Sequence, residues 1–125
     1  MNIPAELKYT KDHEWISIDG DIATIGITEF AQKELGDIVY VEVETLDQTL
    51  EQDEVFGTVE AVKTVSDLFL PLAGEIVEFN DALESAPETV NADPYGKGWI
   101  IKLDIGEGAD TTELLSAEQY QASLG

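Results

Sequence analysis

Cysteine is absent, and so is arginine. With no thiol in the chain there can be no disulfide framework, and any sulfur chemistry must come from elsewhere. Without arginine, six lysines face 27 acidic residues, and the formal charge is −21. Phosphate backbones and anionic membrane surfaces bind through cation contacts, so both are poor partners for this chain. A single histidine, His13, excludes a multi-histidine metal centre and leaves a hydrolytic triad only one base to use. Flanked by Asp12 and Glu14, His13 reads first as a packing or surface residue. No apolar run approaches the ~20 residues of a membrane-spanning helix. Neither a Walker sequence nor a G-x-G-x-x-G fingerprint occurs. The N-terminal MNIPAELKYTKDHEW has neither a signal-peptide apolar core nor an arginine-rich transit pattern, so the cytoplasm is the expected compartment.

What is present suits one domain spanning residues 1–125. Hydrophobic residues make up 43%, enough for a packed core; a chain of this length buries roughly two-thirds of the surface its unfolded form exposes. Strand patterns dominate. Trp15–Ile18 alternates, Asp19-Gly20 signals a hairpin turn, and Ile22–Ile27 follows. Ile38–Val43, Val55–Val59, Val65–Leu70, Glu75–Phe79 and Trp99–Ile105 read as further strands. Thr28 is placed to cap a short helix over Glu29–Leu35, with Gly36 just beyond its end. Ser116 and Gln119 have the spacing of a capping box, and Leu114, Leu115, Tyr120 and Leu124 offer an apolar face to a C-terminal helix. Asp93-Pro94-Tyr95-Gly96 has the residues of a type I turn. Strands with short Gly, Pro and Asp punctuation predict a mainly β sandwich or barrel.

One residue breaks the charge pattern. Between Glu34 and Gly96 the chain is rich in acids, and Lys63, in GTVEAVKTVSDL, is its only cation. The simplest reading is a solvated hairpin lysine paired with Glu60 or Asp67. The sharper reading is a modified amine, because a ligase needs its target lysine on an exposed, rigid projection. Amide formation there would remove the charge and leave a long tether.

The surroundings of Lys63 carry a resemblance. GTVEAVKTVSDLFLPLAGEIVEFN resembles the lipoyl-lysine segment of the glycine cleavage system H protein family. KYTKDHEWISIDGDIATIGITEFAQKELGDIVYVEV resembles that family's N-terminal half, and VNADPYGKGWIIKLDI with LLSAEQYQASL resembles its C-terminal end. Biotin carriers typically flank the lysine with methionines, where this chain has Val62 and Thr64. Dehydrogenase lipoyl domains usually show an Asp-Lys-Ala core, and both groups lack the HEW and DPYG blocks. Two departures stand before the hairpin. Glu44-Thr45-Leu46-Asp47-Gln48 replaces the family's usual Pro-Glu-Val-Gly-Asp, and Asp53 replaces a later glycine. Asp accepts left-handed backbone better than most residues, so both turns are expected to survive.

The resemblance implies a lipoyl-domain-like hybrid of β-sandwich and barrel. Two antiparallel sheets are expected, with a short internal helix and a C-terminal helix. It implies a monomeric, non-catalytic carrier with lipoic acid in amide linkage to Lys63. Its partners would be the pyridoxal-phosphate glycine decarboxylase (P protein), the aminomethyltransferase (T protein) and dihydrolipoamide dehydrogenase (L protein). A lipoyl or octanoyl transferase, or a lipoate ligase, would attach the cofactor. The same resemblance points to Glu14 and Asp67, with Asp12 as a third contact, as carboxylates that shelter the cationic aminomethyl cargo. Three other readings use the same residues differently: a lipoyl donor or relay at Lys63, an unmodified interaction module, and an enzyme based on His13.

Overall fold

The computed structural model describes residues 2–124. In chain order the elements are β1 (Lys8–Tyr9), β2 (Glu14–Asp19), β3 (Ile22–Ile27), α1 (Glu29–Leu35), β4 (Ile38–Glu42) and β5 (Thr49–Leu50). Then follow β6 (Val55–Ala61), β7 (Val65–Phe69), β8 (Gly74–Phe79), α2 (Ala82–Ser85), α3 (Thr89–Ala92), β9 (Ile101–Asp104) and α4 (Ala117–Ser123). The strands form two antiparallel sheets, one ordered β1-β2-β3-β9-β8-β5 and one ordered β4-β6-β7. The fold is mainly β with short helices, as the sequence predicts.

Alternation builds the space between the sheets. Ile16, Ala23, Ile25, Ile76 and Leu103 come from the larger sheet, and Val41, Phe56, Val59 and Leu68 from the smaller, into one buried cluster. A second cluster of Leu7, Tyr9, Trp15 and Tyr120 is partly covered by Tyr95, Trp99 and Leu115. Trp15 lies opposite Gly26 in the β2–β3 register. A Cβ on Gly26 would come within 2.6 Å of the indole, so only glycine leaves room for the ring.

Local signals account for the two longer helices. The Thr28 side chain accepts the Ala31 N–H at the start of α1, and Gly36 closes its end. Ser116 and Gln119 form the reciprocal capping box of α4. Leu114 and Leu115 precede this helix rather than belonging to its face; Leu115 instead bridges to Tyr9. The last strand is shorter than Trp99–Ile105, although Ile100 and Ile105 still donate to Ile25 and Asp21. Four elements have no counterpart in the predicted set. β1 and β5 are two residues each, and α2 and α3 are single turns that bury Leu83 and Val90. Elements that short carry no periodicity to read.

Candidate functional site

β6 and β7 pair out to Glu60 and Val65, and the Ala61 N–H closes the turn on the Thr64 carbonyl at 2.7 Å. Val62 and Lys63 occupy the tip. Both are exposed, Val62 at 76%. The tip is not free-standing. Val62 N–H donates to the Asp37 carbonyl at 3.1 Å, which ties it to the connection between α1 and β4. That connection is itself held by Asn91, a residue with no marking in the sequence. Its Oδ1 accepts the Ile38 N–H, and its Nδ2 donates to Gln32 Oε1 and the Gly36 carbonyl.

Gly36 sits beneath the lysine. Its φ of +85° and ψ of −154° lie in a region essentially restricted to glycine. A Cβ there would stand 3.3 Å from Lys63 Cε. The ion pairs among the described residues are Lys33–Glu29 and Lys102–Glu78. Lys63 therefore pairs with neither Glu60 nor Asp67, and it is an exposed residue on a braced turn.

The two carboxylates of the HEW region and its approach lie elsewhere. The β1–β2 connection folds tightly: Thr10 N–H donates to the Glu14 carbonyl and His13 N–H to the Thr10 carbonyl. His13 adopts φ +67°, a left-handed conformation for which histidine is enriched. Its ring meets the Tyr120 hydroxyl at 2.9 Å and packs against Phe30. Burial lowers the imidazole pKa, against opposing pulls from Asp12 and Glu34. The histidine is thus built into the packing between α1 and α4.

Glu14 is buried, at 2% exposure. One carboxylate oxygen accepts the Phe69 N–H at 3.0 Å, at an edge of β7 that has no strand partner. The other receives a long contact from Thr10 Oγ1 at 3.4 Å. Burial first, and the neighbouring Asp12 next, push its pKa up to about 8. Glu14 and Asp12 both line a cavity of about 390 Å³, together with Lys11, Asp53, Leu70 and Glu113. Asp67 does not line it. It lies exposed on β7, paired in register with Thr58, between Lys63 and Phe69. The three acids are therefore divided between the cavity and the strand leading to it. Asp53 is an additional cavity residue whose position the sequence marked only as a turn.

Fold and site define a class: a two-sheet β-protein presenting one unpaired lysine on a braced hairpin. The family model for the glycine cleavage H-protein matches residues 7–125. A glycine cleavage system H protein of Bacteroides thetaiotaomicron is 59% identical over 122 residues, 98% of this chain and 97% of that protein. One from Chlorobium luteolum is 57% identical over 127 residues, 100% and 99% of the two chains. The crystal structure of a glycine cleavage system H protein from Mycobacterium marinum matches with TM-score 0.87 and 39% identity, over 98% of this chain and 99% of that one. The chain belongs to the glycine cleavage H-protein family.

Proposed function

We propose that residues 1–125 form one carrier domain whose Lys63 holds lipoic acid in amide linkage. The observation that carries this reading is the unpaired amine at a closed, braced hairpin tip. The site suits the group: the tip is exposed and Gly36 keeps the space beneath the lysine open. When attached, lipoate supplies a dithiolane that can accept an aminomethyl group and later be reoxidised, chemistry a cysteine-free chain lacks. The carrier would serve the glycine decarboxylase, the aminomethyltransferase and dihydrolipoamide dehydrogenase in turn, after modification by a lipoyl or octanoyl transferase or a lipoate ligase. Tethering raises the effective concentration of the cargo at each docked enzyme. On this reading the protein acts in the cytoplasm as a monomeric, non-catalytic component.

Cargo shelter follows the strand. A modified lysine arm reaches on the order of 14 Å from the backbone. At ~3.3 Å per residue of extended chain, Asp67 lies no more than about 13 Å from Lys63, and the Phe69 amide held by Glu14 no more than about 20 Å. A one-carbon amine on the arm, plus a hydrogen bond of about 3 Å, covers that remaining distance. Asp67 would thus meet the arm on its way, while Glu14 and Asp12 would receive the cationic end and limit its contact with water.

The test uses lipoate ligase, ATP and lipoate on the wild type and on Lys63→Arg, read by intact mass. Wild type should gain a lipoyl group, and peptide mapping should place it on Lys63 rather than Lys8, Lys11, Lys33, Lys97 or Lys102. Lys63→Arg should gain none, remain folded, and support no glycine cleavage with the three enzymes reconstituted. Wild-type turnover by Lys63→Arg would refute the carrier. A lipoylated wild type unable to support turnover would favour the relay role instead.

A further inference from the structure

The hairpin tip at Lys63 does not hold its shape by itself. Hairpins joined by two residues favour turns with positive φ at one or both of them, because that twist matches the strands. Val62 and Lys63 both have negative φ; the non-glycine residues with positive φ among those described are His13, Asp47 and Asp53. The turn is also open. Ala61 N–H donates to the Thr64 carbonyl, but among the described residues the Thr64 N–H makes no return bond to the Ala61 carbonyl. What sets the tip comes from outside the hairpin, where the Val62 N–H donates to the carbonyl of Asp37, one residue before β4.

The same connection lies under the lysine. A Cβ on Gly36 would stand 3.3 Å from Lys63 Cε and 3.8 Å from its Nζ, so the stem runs over bare glycine backbone. Both tip residues thus rest on residues 36–37, a pair that glycine leaves conformationally free. One side chain removes that freedom. Asn91, on the single turn α3, accepts the Ile38 N–H at 2.9 Å and donates to the Gly36 carbonyl at 2.9 Å and to Gln32 Oε1 at 2.8 Å. A single amide therefore pins the chain on both sides of Asp37, with its oxygen and both amide hydrogens engaged.

We propose that Asn91 is a positioning residue for Lys63. Through Gly36 and Ile38 it holds the Asp37 carbonyl that sets the hairpin tip, and so presents the amine in the direction the lipoate-attaching enzyme requires. The proposal rests on the carrier reading of Lys63. In that attachment the deprotonated Lys63 nitrogen attacks the acyl carbon of the lipoyl adenylate made from ATP and lipoate. The C–N bond forms, the C–O bond to AMP breaks, and the surplus proton on nitrogen passes to solvent; nothing is oxidised or reduced. Attack is productive only when nitrogen and acyl carbon stand about 3–3.5 Å apart and aligned. Four methylenes give Lys63 reach, whereas direction comes from the tip. A wandering tip is competent for part of the time, and apparent affinity falls by that fraction. Once bound, the tip is ordered and reacts as before. Loss of the brace therefore raises KM and spares kcat.

Asn80 supplies a matched control. It is likewise a side-chain amide that donates twice, to the Lys97 and Trp99 carbonyls at 2.8 Å each, and neither bond reaches the hairpin or residues 36–38. Alanine at either position removes both donor bonds. Aspartate also removes them but keeps the size and the acceptor oxygen, and serves where truncation costs the fold. Urea unfolding defines the conditions in which each variant is folded, and all rates are compared there.

Steady-state rates with lipoate ligase, ATP and lipoate, and this protein as the varied substrate, read the effect. Asn91→Ala and Asn91→Asp should raise KM at least about fivefold while kcat stays within about twofold of wild type. Asn80→Ala and Asn80→Asp should stay within about twofold of wild type in both. Without any enzyme, the Val62 amide should exchange its hydrogen at least about tenfold faster in the Asn91 variants, while amides of the β2–β3 ladder keep their protection. Acetylation of Lys63 by acetic anhydride should run at one rate throughout, since a small reagent needs no fixed direction. Unchanged KM or unchanged Val62 exchange in folded Asn91 variants would overturn the proposal. So would an equal rise in KM at Asn80, or a loss confined to kcat. Each of those results leaves wild-type lipoylation, and with it the carrier reading, standing. Failure of wild type to accept lipoate would remove both.

Discussion

Asp47 and Asp53 show how a residue can replace glycine without losing the turn. Both adopt left-handed backbone, at φ +69° and +71°, where the chain departs from the family's usual glycines. Each is pinned by its amide: Asp47 N–H donates to the Ile76 carbonyl at 2.7 Å, and Asp53 N–H to the Leu70 carbonyl at 2.8 Å. The conformation is thus imposed by contacts with β8 and with the chain following β7, and Asp tolerates it better than a branched residue would. Asp47 is exposed, so substitutions there act mainly through the backbone. Asp47→Val should lower stability by about 2 kcal/mol, whereas Asp47→Gly should change it by less than about 1 kcal/mol. Urea unfolding of the two variants beside wild type checks this, and equal losses in both would show that the side chain rather than φ matters.

Among elements, α4 is attached by a chain of buried hydroxyls rather than by its short apolar face alone. Tyr120 stacks on Tyr9 with ring centroids 4.8 Å apart. Its hydroxyl meets Thr28 Oγ1 at 2.8 Å and His13 Nδ1 at 2.9 Å. Because Thr28 also caps α1, one phenol joins both helices to the β1–β2 turn. Tyr120→Phe keeps the stacking and removes the shared partner, leaving two polar atoms underused in a buried site. It should cost about 1–3 kcal/mol. Hydrogen exchange should quicken in α4 and at the start of α1 while the β6–β7 hairpin keeps its protection. Uniform quickening across all elements would mean that the helix is not a separately attached cover.

At the scale of the molecule, charge is the dominant property. A formal charge of −21 on 125 residues gives a long-range field that favours encounter with basic surfaces. For the proposed carrier, the decarboxylase should show an apparent KM for this protein that rises as salt screens the field over a Debye length of about 8–10 Å. Steady-state rates with the carrier as varied substrate, at low and near-physiological ionic strength, measure it. A flat response would assign the acidity to solubility alone. The buried Glu14 lies outside this field argument, since its environment is set by the cavity rather than by the surface.

Read by itself, the sequence determined the seven longer strands, both capped helices, the hairpin and the isolation of Lys63, because each depends on neighbours within a few residues. Alternation gave Trp15–Ile18 its strand, Thr28 and Ser116 carry their own capping oxygens, and the lack of nearby cations around Lys63 is a property of the chain. Tertiary structure decided what depends on distant residues. Asn91 braces the lysine hairpin through Ile38 and Gly36, and single turns form at Leu83 and Val90 because the core accepts those side chains. It also separated the three acids named with the lysine, placing Glu14 and Asp12 in a cavity with Asp53 and leaving Asp67 on the strand outside. A carboxyl written in sequence is only a charge; whether it is solvated, paired or forced to hold a proton is settled by the desolvation and the neighbouring charges that folding brings to it.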